Sequence, residues 1–292
     1  GENFRPPPPP RGGVGEKART LPPPVALVTG STGGIGACVA RALAARGHRL
    51  VLMDLDRARL EQQAAAYPGA RIETLDLARQ DAVLDWAQAL QADDAPAIDV
   101  AFVNAGLIAV GDVGELPTEK LLLQLQVNLV STAIMVQALA RHMAAAGHGH
   151  LIATVSVGGI VSLKGSAAYS ASKFGLRGLL WGLRDELQAR GVQVCGIYPA
   201  GVDTPMLRHE ARHGGSALNF VSQPVTAEDV ARAVMAAIDR PRLETYVPAT
   251  EGITGRLAGA FPGLLSSLYP WLEKMGERGR AAYLARLARD GH

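Results

Sequence analysis

The chain has 292 residues, 48% hydrophobic and 19% charged, which is enough to build one large core. The net charge is +2, the 29 lysines and arginines are scattered and aromatic residues make up only 5%, so the composition argues against a nucleic-acid-binding surface. Cys38 and Cys195 stand alone in apolar segments and provide neither a disulfide framework nor a metal site. We expect both to be buried thiols in a reducing compartment, the cytoplasm.

Residues 1–24 are rich in proline, glycine and charge and contain the run PPPPP. This composition predicts a disordered or polyproline-like tail, with no apolar segment typical of a secretory signal. The alternative is a ligand for an aromatic groove on another protein. We expect no apolar run to reach the ~18 residues that cross a bilayer.

From residue 25 onward, short apolar segments alternate with segments of helical periodicity. The strand-like segments are nearly continuous apolar runs, which is typical of strands buried on both faces. This alternation predicts a single α/β domain over residues 25–250, a doubly wound parallel sheet with helices on both faces. The predicted strands lie at residues 25–29, 48–54, 70–76, 98–106, 150–156 and 192–201, and the predicted helices at 36–47, 57–67, 80–92, 118–146 and 169–190.

The motif TGSTGGIG (29–36) separates the first predicted strand from the first predicted helix. Gly30 permits a tight turn, and Gly34 and Gly36 let the backbone approach a diphosphate at the free N–H groups of a helix N-terminus. A glycine triplet alone indicates only a flexible turn. Its position between a strand and a helix favours a dinucleotide-binding site.

Asp54 ends the second predicted strand, where an acid accepts hydrogen bonds from the ribose hydroxyls of NAD and repels the 2′-phosphate of NADP. The glycine motif contains no basic residue, although Arg57 and Arg59 follow Asp54 closely. The pattern therefore favours NAD over NADP. Asp76 ends the third strand and is placed to face the adenine; its alternative role is to cap the next helix.

The motif NAG (104–106) ends the fourth predicted strand, at the sheet edge where ligands bind in such folds. Asn104 can stabilise the sheet there, while Ala105 and Gly106 leave room for a ribose or nicotinamide. The alternative is an ordinary turn.

Tyr169 and Lys173 are four residues apart on a predicted helix and therefore lie on one face. A nearby ammonium favours the phenolate and lowers the pKa of a tyrosine, which makes it a usable general acid and base. The small residues around Tyr169 should keep the site open. The pair alone is common on helix surfaces, but Ser156 ends a strand just before it and Asn128 interrupts an apolar helix, where it could hold a water molecule.

In this order and spacing, the glycine motif, NAG, Asn128, Ser156, YSASK (169–173) and PAGVDT (199–204) resemble the classical short-chain dehydrogenase/reductase family over residues 25–250. The resemblance implies a Rossmann-type fold and a catalytic tetrad. In it Tyr169 is the acid/base, Ser156 orients the substrate oxygen, Lys173 binds the nicotinamide ribose and Asn128 holds a relay water. It also implies these cofactor-binding residues: Gly30, Ser31, Gly34, Ile35, Gly36, Asp54, Asp76, Leu77, Asn104, Ala105, Gly106, Tyr169, Lys173, Pro199, Val202 and Thr204.

The resemblance further implies a hydride transfer between the nicotinamide and a secondary alcohol or ketone, and a homodimer or homotetramer formed through the helices of Asn128 and Tyr169. Residues 205–224 correspond to a mobile substrate lid. Its apolar residues predict a lipophilic substrate such as a steroid, retinoid or fatty-acyl alcohol: Met206, Leu207, Leu218 and Phe220. The alternatives are an NADPH-dependent carbonyl reductase and a non-catalytic nucleotide-sensing protein, although the latter would usually lack the tyrosine or lysine.

Residues 251–292, the C-terminal extension, combine leucines and Trp271 with basic residues. Such a segment could lie on a membrane surface, cover the substrate pocket or pack on a partner subunit. Packing is the favoured interpretation. A membrane-recruited scaffold remains the alternative that this segment and the proline tail together suggest.

Overall fold

The structure is a computed structural model that describes residues 22–290. The predicted proline-rich tail therefore lies outside the described residues, apart from residues 22–24.

Seven parallel strands form one sheet, in the order β3-β2-β1-β4-β5-β6-β7, with helices on both faces. The prediction of a single doubly wound parallel sheet is confirmed. The strands are β1 (Val25–Thr29), β2 (Arg49–Asp54), β3 (Arg71–Thr74), β4 (Val100–Val103), β5 (Gly149–Thr154), β6 (Val192–Pro199) and β7 (Glu244–Val247). The helices are α1 (Gly34–Ala45), α2 (Arg57–Ala64), α3 (Gln80–Ala89), α4 (Thr118–Leu125), α5 (Thr132–Ala146), α6 (Ala167–Gln188), α7 (Pro205–His213), α8 (Ala227–Asp239), α9 (Thr250–Ala260) and α10 (Pro262–Arg289).

The core lies on both faces of the sheet because its central strands bury every side chain, as β1 and β4 do. One apolar cluster packs the sheet against α1, α2 and α8, and includes Leu43, Leu60 and Val230. The other packs it against α3, α5 and α6, and includes Leu139 and Leu180. The strand order reverses between β1 and β4, so a cleft opens beyond their carboxyl ends.

Two elements differ from the sequence-based prediction. The edge strand β7 was not predicted, because only Val247 of its four residues is buried and the apolar pattern is weak. The predicted helix over 118–146 is not uniform: a π-helical segment, Gln126–Ser131, separates α4 from α5. The bulge lies at Asn128, the residue that interrupts the apolar pattern.

The expectation that no segment could cross a bilayer is too strict. Thr118–Ala146 is long and apolar enough by length and composition, with a mean hydropathy of 1.5 in its most apolar window. In the fold, however, Met135, Leu139 and Met143 are completely buried in the core cluster that includes the sheet. A buried core helix of a folded domain passes the same test, so this property is weak evidence of a membrane span.

The C-terminal extension packs on the lid within the same chain. In the lid, α7 is followed by a short 3-10 helix, Ala217–Phe220, and α10 lies directly against that segment. A Cβ on Gly276 or Gly279 would overlap the carbonyl oxygens of Ala217 and Phe220 respectively, so the two backbones are in contact. The start of the extension instead exposes apolar side chains: Ile253, Leu257, Phe261, Leu264, Leu268 and Trp271.

Candidate active site

A cleft of about 840 Å³ lies beyond the carboxyl ends of the central strands. Most of the predicted site residues line it together: Gly30, Gly34, Ile35, Asp54, Asp76, Leu77, Asn104, Ala105, Gly106, Ser156, Tyr169, Lys173, Pro199, Val202 and Thr204. Ser31, Gly36 and Asn128 are not part of its lining. They lie just behind it.

The glycine motif forms a tight turn at one end of the cleft. Gly30 has φ of +62°, a conformation that favours glycine, and a Cβ on Gly36 would overlap the Gly30 carbonyl oxygen. The first turn of α1 has no side-chain cap and no acidic residue. Its N–H groups and positive dipole end are therefore available to an anion such as a diphosphate.

Asp54 is fixed at the edge of the cleft by Thr32, a residue that sequence reasoning missed. The Asp54 Oδ2 accepts hydrogen bonds from the Thr32 backbone N–H at 3.0 Å and from the Thr32 hydroxyl at 2.7 Å. Ser31 instead turns inward, where its hydroxyl donates to Gln63 Oε1 at 2.9 Å and is fully buried. Its backbone is also engaged, because the N–H donates to the Met53 carbonyl oxygen at 3.1 Å and the carbonyl oxygen accepts from Gln63 Nε2 at 2.7 Å.

The two arginines that follow Asp54 lie in different surroundings. Arg57 pairs with Glu61 on the exposed side of α2, at 2.9 Å, and does not line the cleft. Arg59 does line the cleft, and its Nη2 donates to the Thr32 carbonyl oxygen at 2.7 Å. The Arg59 guanidinium, which comes from α2, therefore contacts the loop that holds the Asp54 carboxylate.

Asp76 holds the turn after β3. Its Oδ1 accepts a hydrogen bond from the Ala78 N–H at 2.9 Å, while the N-cap of α3 is Arg79. The capping alternative therefore does not describe Asp76, which braces the turn that precedes the helix. Asp76 and Leu77 both face the cleft beside Asp54.

Asn104 joins three strand ends. Its backbone N–H donates to the Thr29 hydroxyl at 2.9 Å, its Nδ2 donates to the Thr29 carbonyl oxygen at 3.3 Å, and its Oδ1 accepts from the Thr154 hydroxyl at 3.0 Å. These bonds fix the floor of the cleft across β1, β4 and β5.

Asn128 lies in the π-helical segment, and its side-chain amide bonds chiefly to the backbone of Leu107. Its Oδ1 accepts from the Leu107 N–H at 2.9 Å and its Nδ2 donates to the Leu107 carbonyl oxygen at 2.8 Å. A further, longer bond of 3.4 Å reaches the Ser172 hydroxyl, which itself donates to the Tyr169 carbonyl oxygen. The side chain thus ties the loop after β4 to the helix that carries Tyr169.

Ser156, Tyr169 and Lys173 meet at the other end of the cleft. Ser156 follows β5, and its hydroxyl accepts from the Gly158 N–H at 3.0 Å. Lys173 is buried, with its Nζ donating to the Thr154 carbonyl oxygen at 2.9 Å and lying 5.7 Å from the centroid of the Tyr169 ring. The serines near Tyr169 do not open the site as expected, because Ser170 and Ser172 are buried and hydrogen-bonded within the fold.

The protonation state of Tyr169 differs from the sequence-based expectation. Burial raises the pKa of the Tyr169 phenol above its usual value; a hydrogen bond with Ser156 lowers the pKa and the charge of Glu210 raises it further. Burial also lowers the pKa of the Lys173 ammonium, to about 8. The phenol is therefore held in its protonated form in the chain alone.

The predicted lid contributes α7 to the wall of the cleft. Thr204 caps α7, and a Cβ on Gly34 would lie 2.8 Å from its Cγ2, so the lid begins against the glycine motif. Glu210 of α7 and Asn219 of the 3-10 helix also line the cleft. No sequence pattern singles out either of them, because a lone carboxylate or amide in an irregular segment resembles an ordinary surface residue.

The tight glycine turn, the uncapped helix and the fixed Asp54 fit a dinucleotide, and a tyrosine, serine and lysine converge beside it. A family model described as short chain dehydrogenase matches residues 24–214, and the chain belongs to the short-chain dehydrogenase/reductase family. It is an oxidoreductase with a nicotinamide cofactor, acting on alcohol or ketone groups.

Individual relatives agree with this assignment. An uncharacterized oxidoreductase of Myxococcus xanthus is 32% identical over 247 residues, 82% of this chain and 93% of that protein. D-threitol dehydrogenase of Mycolicibacterium smegmatis is 37% identical over 195 residues, 65% of this chain and 74% of that protein.

Solved structures are similar over most of the chain. A short-chain dehydrogenase from Sphingobium yanoikuyae in complex with NADPH has a TM-score of 0.71 and 28% identity, covering 83% of this chain and 95% of that one. A short chain dehydrogenase/reductase from Burkholderia phymatum in complex with NAD has a TM-score of 0.69 and 27% identity, with the same coverage. Both cofactors thus occur among similar structures.

Proposed function

We propose that the protein interconverts a secondary alcohol and a ketone with NAD, with Tyr169 as the general acid and base. The observation that carries this proposal is the convergence of Ser156, Tyr169 and Lys173 at one end of a cleft whose other end suits a dinucleotide. When bound, the nicotinamide supplies the acceptor or donor of a hydride. In oxidation the hydride leaves the carbinol carbon, the hydroxyl proton passes to the Tyr169 oxygen, and a carbonyl group forms.

Each of the four residues has a separate role in the proposed reaction. The Ser156 hydroxyl orients the substrate oxygen, and Tyr169 gives or takes its proton. Lys173 is largely protonated at neutral pH with a pKa of about 8, and it would bind the ribose next to the nicotinamide. Asn128 braces the helix of Tyr169 through Leu107 and Ser172, from where it can also support a relay water.

The raised pKa of Tyr169 favours the protonated phenol, which is the form that donates a proton during ketone reduction. Alcohol oxidation needs the phenolate, and the positive charge of Lys173 at 5.7 Å from the ring centroid favours that form. We therefore expect oxidation to accelerate with rising pH and reduction to be supported at neutral pH.

Asp54 supports NAD as the cofactor. Its carboxylate stays at the cleft edge through two bonds from Thr32, where it would accept from ribose hydroxyls and repel a 2′-phosphate. The second candidate is an NADPH-dependent carbonyl reductase, which is favoured by one observation: Arg59 of α2 lines the cleft, bonds to the loop that holds Asp54 and could pair with that phosphate.

The substrate is proposed to be lipophilic over most of its surface. Apolar side chains from the connections after β4 and β5, from α4 and from the lid line the cleft: Leu107, Ile108, Leu123, Leu163, Met206 and Leu207. A steroid, retinoid or fatty-acyl alcohol would suit such walls.

We further propose a homodimer or homotetramer in the cytoplasm. Leu122, Phe174 and Trp181 of α4 and α6 are exposed, and such residues support an interface between copies. Cys38 and Cys195 are free thiols, in keeping with a reducing compartment, although only Cys195 is buried as expected and Cys38 is half-buried.

The test is turnover of a panel of secondary alcohols and ketones by the wild type and by Tyr169→Phe, followed through the absorbance of the reduced cofactor. The variant should lose turnover by about 10²- to 10⁴-fold while NADH binding, measured by fluorescence, is kept. Tyr67→Phe, outside the cleft, is the matched control and should behave as the wild type. Full activity of Tyr169→Phe would show that the proton-transfer assignment is wrong.

A further inference from the structure

Glu210 places a buried carboxyl group in the cleft, where the proposed reaction does not use it. The residue lies on α7 of the lid, is only 5% exposed and lines the cleft. Carboxyl groups are almost never buried this deeply without a full set of partners, because removal from water is costly. A buried carboxyl in a ligand cleft therefore calls for an explanation.

Its hydrogen bonds are incomplete within the part of the chain that the structure describes. The Oε2 accepts from the Asn219 Nδ2 at 2.9 Å, whereas no hydrogen bond reaches the Oε1 over residues 22–290. Arg280 of α10 lies close enough to lower the pKa of Glu210, but its Nη2 donates to the Gly215 carbonyl oxygen and pairs with Glu277. The carboxyl is thus oriented from one side and open on the other.

The electrostatics connect this group to the reacting end of the cleft. Burial raises the pKa of Glu210 to about 7, and the bond from Asn219 and the charge of Arg280 lower it in part. The charge of Glu210 in turn raises the pKa of Tyr169. Both the carboxyl and the phenol line the same cleft.

We propose that Glu210 is a specificity-determining residue, whose carboxyl accepts a hydrogen bond from a second hydroxyl of the substrate. This inference rests on the proposed function and narrows it: the substrate is a largely apolar frame with one hydroxyl or carbonyl at Tyr169 and Ser156 and another hydroxyl at the lid. Glu210 would then bind a polar group of the substrate that the apolar walls of the cleft could not bind.

A hydroxyl suits this position better than an ammonium group. A carboxyl that titrates near neutral pH can bond a hydroxyl in either protonation state, as acceptor or donor. An ammonium group would need the ionised form and would be repelled by the positive charge of Arg280.

The competing explanation is that Glu210 only anchors the lid through Asn219. An anchor would affect all substrates alike, because loss of the lid geometry does not distinguish one substrate from another. A recognition residue changes the ratio of kcat/KM between two substrates that differ by one hydroxyl. The experiment therefore measures that ratio.

The assay compares diols with their mono-alcohol analogues on cyclohexane, straight-chain and steroid frames, together with the amino analogues. The enzymes are the full-length wild type, E210Q, E210L and the control E186Q, which makes the same change on the exposed side of α6. On at least one frame, kcat/KM of the wild type should be about tenfold or more higher for the diol than for the mono-alcohol. E210L should lose that preference, and E210Q should have an intermediate one. E186Q should match the wild type.

A second readout is the pH dependence of the diol preference, and it carries the test if thermal denaturation shows E210L to be unfolded. The groups that face Glu210 are Tyr169 of α6, Asn219 of the 3-10 helix and Arg280 of α10. The ionised carboxyl is the better acceptor, so the preference should rise as pH increases through about 7 in the wild type and stay flat in E210Q.

The outcomes separate the two proposals. Absence of turnover on every alcohol and ketone would refute the proposed function itself. Turnover with no diol preference on any frame, or an equal loss on diols and mono-alcohols in E210L, would refute the role of Glu210 and leave a lid anchor. A preference for the amino analogues that depends on Glu210 would overturn the choice of a hydroxyl.

Discussion

Replacing Asp54 with asparagine should weaken the preference for NADH over NADPH. The substitution removes one negative charge and the bond that Oδ1 accepts from the Leu55 N–H, but it keeps an amide oxygen that can still accept the two hydrogen bonds from Thr32, so the glycine loop should keep its conformation. Asp54 lies at the partly exposed edge of the cleft, where water screens its charge. The effect should therefore be electrostatic, with little structural change.

The magnitude follows from the repulsion between the carboxylate and a 2′-phosphate. At about 4 Å, and with an effective dielectric constant of about 20 to 40, two unit charges repel by about 2–4 kcal/mol. The ratio of the two dissociation constants should then change by about 30- to 700-fold in favour of NADPH. Most of the change should appear as tighter NADPH binding, because the asparagine still bonds the ribose.

The assay is the fluorescence of each reduced cofactor titrated separately onto the wild type, Asp54→Asn and the control Asp85→Asn. Asp85 is exposed on α3 and does not line the cleft. An unchanged ratio in Asp54→Asn would refute the electrostatic argument. If the wild type binds NADPH more tightly than NADH, Arg59 would be the residue that sets the cofactor preference, and the protein would be an NADPH-dependent reductase.

Three other perturbations test the lid and the buried lysine. Gly279→Ala should displace the lid, raising KM and lowering the melting temperature by several degrees, whereas Gly263→Ala on the same helix has open space and should change neither. Tyr283→Phe removes a 2.6 Å hydrogen bond to Asp203 beside the lid and should lower the unfolding free energy by about 1–2 kcal/mol in urea denaturation; an unchanged value would contradict a structural role for that bond. Lys173→Met should raise the unfolding free energy at pH 7 by about 2 kcal/mol, from about 3 kcal/mol of charge burial less about 1 for the lost hydrogen bond. Because the depressed pKa makes this cost complete below pH 8, the gain should shrink above pH 8 and become a loss of about 1 kcal/mol above about pH 10.5, where the neutral amine keeps its hydrogen bond; a constant gain would contradict it.

The sequence predicted the parallel sheet and most of the cleft because both depend on local patterns. Apolar runs identified five of the seven strands, and β3 was recognised as an extended segment within the alternation of strands and helices. The glycine motif and the Tyr169–Lys173 spacing need only a strand end or one helical turn. The edge strand β7 was missed because its side chains are mostly half-exposed. The π-helical segment could not be foreseen either, although the unfavourable Asn128 indicated its place.

The remaining features depend on residues far apart in the chain. The pKa of Tyr169 follows from burial and from Glu210, and the four-residue spacing to Lys173 says nothing of either. The helix that packs on the lid, α10, begins 42 residues after the 3-10 helix of the lid ends at Phe220. The two segments meet only through tertiary packing, as the contact of Gly279 with Phe220 illustrates. Such long-range contacts have no periodic signal in the sequence.

The backbone contact between α10 and the lid has a consequence for engineering. Gly276 and Gly279 meet the carbonyl oxygens of Ala217 and Phe220 without an intervening side chain, so the fit tolerates neither larger residues nor a shift of the helix by one turn. The lid and the C-terminal extension are therefore a single transplantable unit. A chimera that takes the lid of a relative to acquire its substrate range would have to take the matching C-terminal helix as well.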